Sequence, residues 1–378
     1  MSTHAPLLGS SEPSSRVDKG GNLASSAARR RERLRARAVS LGLEGVLAYS
    51  WRRGTVPALT GYLPGFVTNT TTLWLPVHGA PVLGVRFGFE LARARALFGG
   101  KVVHAPQPIE VLPPGIRRIG ILSGDTGVDE TPVALVDALA EIYAVDLAEW
   151  ADEDREIKTD QEIAGLALAA RAADAALRAA DAAFRPGASD FEIAAAVEAV
   201  ARAGGAHRAT CLAGFGRGAV VTEAHGAVLA HGEPAGLELN LVMDGYLAHA
   251  QRTLLAPEAS AIDRAATRVC WEARAAMLAA IRPGVAVAEV VAAGDRVLEA
   301  NGMLDAKEYD FGHGIGWDTP EHPRLLAEST RSLKAGTVLA LHAAVRRAGG
   351  ETAFVGGPIA ITDSGCRELV PDACWTRA

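Results

Sequence analysis

The stretch Leu237–Thr253 (LELNLVMDGYLAHAQRT) decides the fold of this chain of 378 residues. It reads as two short strands on either side of a Met243-Asp244-Gly245 turn, closed by Gly-Tyr and by Arg252-Thr253. Aspartate followed by glycine suits a two-residue hairpin loop, because both residues tolerate a left-handed backbone. The segment therefore predicts an antiparallel hairpin.

A second stretch, Asp310–Trp317 (DFGHGIGW), places His313 between glycines at a tight turn. Glycine lacks a Cβ atom, so the backbone at such a turn can approach a ligand closely. The spacing therefore marks His313 as a candidate site residue.

Together the two stretches resemble the signature of the creatinase, aminopeptidase P and methionine aminopeptidase family, whose fold is called pita-bread. The resemblance continues from Glu156 to about residue 366. Phe184–Asp190 and Ile281–Glu289 both read as helix, Pro-Gly, helix, which fits the two pseudo-twofold halves of that fold. Leu59–Tyr62 (LTGY) is similar to a motif in the N-terminal domain of creatinases and prolidases. Creatinase-like members are the closest in pattern.

The resemblance and the alternation of strands with helices predict an α/β (α+β) protein of two domains. Residues 27–150 form a creatinase-like α/β domain that opens with a helix from about Ala27 to Gly42. Residues 151–378 form the pita-bread catalytic domain, with the boundary at the charged stretch Glu149–Arg155. Residues 1–26 are rich in Ser, Gly and Pro and are expected to be a disordered tail.

Composition excludes several classes of function. A net charge of −6 gives no footprint for nucleic acid. No apolar run reaches the ~20 residues of a membrane span, and the N-terminus lacks the apolar centre of a signal peptide. Four scattered cysteines without metal-binding spacing predict free thiols in a reducing cytoplasm. The expected partner is a small-molecule carboxylate substrate.

The resemblance implies five metal ligands, two Asp, one His and two Glu, that hold two divalent ions. Carried onto this sequence, the five positions fall on Asn240 (with Glu238 as the alternative), His249, His313, His342 and Gly356. Only the histidine is retained. Hard divalent ions need carboxylate oxygens, so a two-ion carboxylate site of the usual aminopeptidase type is not expected.

One hypothesis is metal-free chemistry, as in creatinase. Resemblance to that enzyme implies His225 as the catalytic acid or base and Arg324, eleven residues after His313, as the group that binds the substrate carboxylate. Gln251 stands where creatinase has a glutamate, so creatine itself is not the expected substrate. The predicted catalytic residues are His225, His313 and Gln251.

Arg324 shares the predicted substrate site with two further residues. His231 competes with His225 for the position that faces the substrate. Tyr246 is assigned to the wall of the pocket rather than to the reacting groups.

A second hypothesis is a metal site built from His249, His313 and His342, which meet in the family's fold. Three neutral imidazoles with an open position suit one zinc or iron(II) ion per chain. Under the first hypothesis no cofactor is expected.

The leading expectation is therefore an enzyme that hydrolyses a C–N bond in a small amino- or guanidino-carboxylate. A lyase or oxygenase with a three-histidine metal, acting in a specialised biosynthetic pathway, is the alternative. An inactive pseudo-peptidase that acts as a binding protein is the third. The resemblance also implies a homodimer.

Overall fold

The computed structural model describes residues 19–51, 54–65, 70–122 and 133–375. Two sheets with flanking helices confirm the predicted two-domain α/β architecture. The strands of the first sheet are β1 (Gly45–Trp51), β2 (Thr70–Pro76), β3 (Val82–Val85), β4 (Lys101–His104), β5 (Arg118–Leu122) and β6 (Tyr143–Asp146). Their order is β4-β3-β2-β1-β5-β6, and β2 is antiparallel to both of its neighbours.

Helices cover this sheet. They are α1 (Lys19–Ser40), α2 (Thr55–Thr60), α3 (Leu91–Leu97), α4 (Val133–Ala138) and α5 (Ala148–Glu156). The prediction of a disordered tail is wrong for residues 19–26, which belong to α1; residues 1–18 lie outside the described residues. Tertiary contacts override the weak helix propensity of this Ser- and Gly-rich stretch, since Ser26 is buried with its hydroxyl 3.4 Å from that of Thr159.

The charged stretch expected at the domain boundary is also helical. It forms α5, and Arg155 is only 3% exposed there. Its charge is balanced locally by an ion pair with Asp152. The boundary at residues 150 and 151 stays a prediction.

The second sheet carries the predicted hairpin and the glycine-flanked His313. Its strands are β7 (Arg208–Phe215), β8 (Ala235–Met243), β9 (Tyr246–Leu254), β10 (Gly312–Gly314), β11 (Glu321–Arg324), β12 (Val338–Arg346), β13 (Thr352–Ile361) and β14 (Cys366–Glu368). The order is β11-β10-β12-β13-β9-β8-β7, with β14 paired to β13.

Four helices pack on one face of this sheet: α6 (Asp160–Ala183), α7 (Asp190–Ala203), α8 (Ala261–Ala280) and α9 (Val287–Ala300). Side chains alternate along each strand, so Leu237 and Leu239 of β8 and Leu341 of β12 point into the helical cores. The polar residues between them lie on the opposite face. That face holds the candidate site.

The predicted hairpin is present. Met243 pairs with Tyr246, and the two loop residues Asp244 and Gly245 have φ of 47° and 87°. A Cβ atom at Gly245 would lie 2.3 Å from the Trp317 ring, so glycine is required here for packing as well as for the turn. The register then sets Asn240 opposite His249.

Among the helices of the described residues, none is long and apolar enough to cross a membrane.

Candidate active site

Three strands bring three buried histidines together. His249 of β9, His313 of β10 and His342 of β12 are 7%, 8% and 3% exposed. Their ring centroids lie 5.1 Å apart for the pair His249 and His313, and 5.9 Å apart for each pair with His342. His313 and His342 are 64 and 93 positions after His249 in the sequence. The three rings meet because the strands β10, β12, β13 and β9 follow one another across the sheet.

Two ring nitrogens face each other inside this cluster. The Nδ1 atom of His249 and the Nε2 atom of His313 are 3.2 Å apart. His313 Nδ1 lies 3.0 Å from the carbonyl oxygen of Gly314, which only accepts, so Nδ1 carries the proton of a neutral His313. Its Nε2 atom therefore offers a lone pair to His249.

Glu238 of β8 contacts His249 on the side of the ring that faces away from His313. Its Oε1 atom lies 3.1 Å from His249 Nε2, at ion-pair distance but without a straight hydrogen bond, and accepts a 2.9 Å hydrogen bond from Asn240 Nδ2. Burial raises the pKa of Glu238, but its close contacts with His249 and Asn240 outweigh burial, so the pKa is below its usual range. Glu238 is thus held as a carboxylate at the edge of the cluster.

The other two histidines are kept neutral. Burial, assisted by the neighbouring His249, lowers the pKa of His313 to about 4. Burial and the two other histidines lower the pKa of His342 well below its ordinary value. Desolvation disfavours the imidazolium form of both rings.

The strand register explains why Gly356 can lack a side chain. Gln251, Gly356 and His342 lie side by side on β9, β13 and β12. A Cβ atom at Gly356 would come within 2.3 Å of the Cβ atom of His342 and 2.5 Å of the Leu341 carbonyl oxygen, so the two strands lie too close for a side chain at 356. Gln251 is fully buried, and both of its amide atoms lack hydrogen-bond partners among the described residues.

Arg324 lies beside the cluster. It is directly opposite His313 in the β10–β11 pair, which places both side chains on the same face of the sheet. Its guanidinium is about half exposed and pairs with Asp310 at 2.7 Å. An arginine that is held by Asp310 at an exposed rim and still has guanidinium N–H groups to donate is suited to bind a carboxylate ligand.

The remaining predicted residues lie elsewhere or serve as wall. The described contacts of His225 are with Asp190 and Glu223, and its ring is 63% exposed. His231 is exposed in the turn before β8. Tyr246 packs against Trp317, with 5.2 Å between ring centroids. The geometry gives none of these three a contact with the histidine cluster within the described residues.

Sequence reasoning missed two aromatic residues beside the cluster. The Phe354 ring lies 5.5 Å from that of His342, and the Tyr309 ring lies 5.6 Å from Phe354. Tyr309 is 39% exposed, and its pKa is raised by burial and by the carboxylates of Glu308 and Glu238. Tyr309 directly precedes Asp310, which is the one sequence signal that could have drawn attention to it.

The two-ion site implied by the resemblance does not fit these residues, because the alternative Glu238 is the one carboxylate among the positions assigned to it, and one is too few for two hard divalent ions. One ion is a different case. Zinc–nitrogen bonds of about 2.0–2.1 Å put two nitrogens of a tetrahedral site roughly 3.3 Å apart. His249 Nδ1 and His313 Nε2 fit that spacing. His342 does not complete the set, since no three His, Cys, Asp or Glu side chains in the described ranges are arranged to hold a metal ion.

Several known proteins are similar to this chain in sequence or in structure. A 26% identical match to the uncharacterized peptidase YqhT of Bacillus subtilis covers 68% of this chain and 73% of that protein. A 33% identical match to the agropine synthesis cyclase of Rhizobium rhizogenes covers 27% of this chain and 26% of that protein. The crystal structure of the prolidase from Pyrococcus horikoshii OT3 superposes with a TM-score of 0.81 at 19% identity, covering 90% of this chain and 97% of that chain.

The family model of metallopeptidase family M24 matches residues 164–364, which is 201 of the 378 residues. This match confirms the resemblance to the creatinase and aminopeptidase P family, and it supports a hydrolase of the peptidase-like superfamily. The chain therefore belongs to metallopeptidase family M24.

Proposed function

We propose that this chain is an atypical M24 hydrolase that cleaves a C–N bond in a small amino- or guanidino-carboxylate. The observation that carries the proposal is the series of contacts from Glu238 through His249 to His313, at positions where the resemblance implies metal ligands. This arrangement supplies a carboxylate and a proton in one place. Both are needed to add water across a C–N bond.

In the proposed reaction Glu238 is the base. The contacts of Glu238 with His249 and Asn240 engage its Oε1 atom. The second oxygen is then suited to accept a proton from water as the water oxygen bonds to the substrate carbon. The C–N bond breaks, and the proton passes to the leaving nitrogen, so one water is consumed per bond. Arg324 binds the substrate carboxylate and fixes the orientation.

This assignment gives His249 and Glu238 the roles that the sequence predicts for His225. The exposed position of His225 and its contacts with Asp190 support a place at the rim instead. The roles of His225 and His231 in contacting the substrate stay predictions. A cyclase among the relatives supports substrates other than ordinary peptides, since proteins named peptidases are not the only similar ones.

The test is amine or ammonia release from a panel of N-acyl amino acids, amino-acid amides and guanidino acids. Glu238→Gln removes the proposed base and should lower kcat about 10²- to 10⁴-fold with little change in KM. Arg324→Met should raise KM instead, most strongly for substrates with a free carboxylate. Glu289→Gln, an exposed glutamate on α9, is the matched control and should keep the wild-type rate.

Wild-type turnover by Glu238→Gln would contradict the proposed base. Turnover of Xaa-Pro peptides after addition of manganese or cobalt would instead support the ordinary chemistry of the family.

A second candidate is a mononuclear metal enzyme of the lyase or oxygenase type. The facing nitrogens of His249 and His313 favour it, because their spacing suits one shared cation. His249 and His313 would hold a zinc or iron(II) ion, and His342 would have to move to join them. Such an ion would supply Lewis-acid or redox chemistry next to Glu238.

We also propose a cytoplasmic homodimer. All four cysteines are free thiols, and three of them are buried, which suits a reducing compartment. Light scattering after gel filtration should give twice the 39.3 kDa of one chain. A monomer at micromolar concentration would contradict the dimer.

A further inference from the structure

The six-stranded sheet has a cavity of about 230 Å³ at the carboxyl ends of β1, β3 and β4. It is lined by residues of β1, β2 and β3, by Arg86 after β3, by the segment that follows β4, and by α4. In open α/β sheets, ligands bind in the crevice outside the carboxyl ends of parallel strands, where the chain crosses to the other side of the sheet. Here the connection that leaves β4 at Ala105 passes the cavity and leads to β5 on the far side of β1.

Hydroxyl groups line one wall of the cavity. Thr72 of β2 lies opposite Tyr49 of β1 and Gly84 of β3, so these three positions share one face of the sheet. Thr70 is on the same face by strand alternation. A Cβ atom at Gly84 would lie 2.6 Å from Val111, so glycine at this position leaves room for the segment after β4 to form the opposite wall.

Among the residues that the structure describes, Arg86, which directly follows β3, is the one charged residue lining the cavity. The carbonyl oxygen of Arg86 is 3.0 Å from His104 Nε2, and its guanidinium stacks on the ring of Phe87. Neither of these contacts uses an acid, and within the described residues no carboxylate pairs with Arg86. The lining therefore attracts an anion and offers it hydroxyl groups.

The size of the cavity limits the ligand. A volume of about 230 Å³ is below the roughly 300–1,000 Å³ of sites for drug-sized molecules. A dinucleotide does not fit, whereas a molecule the size of one amino acid does. Every lining residue belongs to the first sheet, its connections or α4, so the cavity is separate from the histidine cluster.

We propose that this cavity binds a small organic monocarboxylate of amino-acid size. Arg86 pairs with the carboxylate, the Thr72 hydroxyl bonds a second polar group, and Ile109 and Leu135 contact the aliphatic part. The site is a second ligand site of the chain and does not depend on the chemistry proposed for the histidines.

Saturation-transfer NMR on the full chain tests the proposal, with the twenty L-amino acids, their carboxamides and inorganic phosphate as probes. At least one amino acid should bind saturably, and its carboxamide should bind at least tenfold more weakly. Arg86→Met should weaken binding at least tenfold, and Thr72→Val several-fold. Arg95→Met, an exposed arginine of α3, should leave binding unchanged, as should His313→Ala, which removes a residue of the other site.

Four results would overturn the proposal: no amino acid binds below about 10 mM, phosphate alone binds, binding survives both Arg86→Met and Thr72→Val, or binding is lost in His313→Ala. Thermal unfolding of each variant shows whether a loss of binding reflects a loss of fold. If Arg86→Met does not fold, the Thr72→Val result decides.

Discussion

His249 Nδ1 and His313 Nε2 lie 3.2 Å apart, and both residues are more than nine-tenths buried. Because His313 uses its other nitrogen to bond Gly314, its Nε2 atom presents a lone pair. Two lone pairs at this distance repel each other. The contact therefore requires either a proton on His249 Nδ1, which donates to the His313 lone pair, or a shared metal cation.

Elemental analysis distinguishes the proton from the metal. Protein purified without chelator or added metal should contain well under one zinc or iron per chain if a proton bridges the rings. Long-range nitrogen–proton NMR should then show a proton on His249 Nδ1, and His313 neutral with its proton on Nδ1. This pattern follows from the hydrogen-bond directions alone.

His313→Ala is the matched variant for that measurement. About one metal per chain in the wild type, lost in His313→Ala, would reject the proton bridge and establish the metal candidate. His231→Ala, an exposed histidine, should leave the metal content of the protein unchanged.

The low pKa of His313 makes stability depend on pH. The unfolded histidine titrates at about 6.5, whereas the folded one titrates at about 4, so only the unfolded state takes up the proton between these values. The free energy of unfolding should therefore fall as pH drops from about 6.5 towards 4, by roughly 3 kcal/mol for this group. His342 acts in the same direction. Above pH 7 the contribution is constant.

Urea unfolding of chelator-treated protein at several pH values measures this dependence. His313→Gln removes the titrating group and should flatten the curve by that amount, while His231→Gln should reproduce the wild-type slope. Equal slopes for wild type and His313→Gln would show that His313 does not resist protonation.

The buried ion pair of Lys158 and Glu321 joins the start of α6 to β11. Their charged atoms are 2.8 Å apart and both side chains are 3% exposed. Glu321 also accepts hydrogen bonds from the backbone N–H groups of Trp317 and Asp318, so it fixes the loop that follows the site histidine. Lys158→Met leaves a buried carboxylate unpaired and should cost about 3–5 kcal/mol of stability.

The double variant Lys158→Met with Glu321→Gln distinguishes the contribution of the lysine charge to stability from that of its packing. It removes both charges while keeping an oxygen for the loop, so it should be more stable than Lys158→Met alone. Arg185→Met, which breaks the exposed pair with Glu192, should change stability by less than about 1 kcal/mol. A double variant no more stable than Lys158→Met would show that packing of the lysine, rather than its charge, stabilises the junction.

The buried side-chain amide of Gln251 lowers the stability of the folded protein, because the described residues offer it no hydrogen bond. A buried polar group without partners costs about 1–3 kcal/mol, so Gln251→Met, of similar volume, should raise the midpoint of thermal unfolding. If the amide bonds the substrate or a catalytic water, the same change should lower kcat/KM at least tenfold. Gln161→Met, exposed on α6, should alter neither quantity by a comparable amount. A lower unfolding midpoint for Gln251→Met would indicate that buried water satisfies the amide.

Much of the fold could be read from the sequence because its signals are local. The Asp244-Gly245 turn sets the hairpin and its register, and that register places Glu238, Asn240 and His249 on one face. The failure at the N-terminal tail was local as well. The Ser- and Gly-rich start of α1 has a weak helical signal, and contacts such as that of Ser26 with Thr159, distant in sequence, decide its conformation.

The sequence by itself determined the family fold, through the resemblance of its motifs, and the strand faces, through alternation along each strand. Only the tertiary structure decided that His249 faces both His313 and Glu238, that the strands at His342 and Gly356 lie too close for a side chain at 356, and that Tyr309 and Phe354 stand beside the cluster. These contacts join strands distant in sequence. Their distances and hydrogen-bond directions depend on how the sheet pairs and twists, and no local pattern records that.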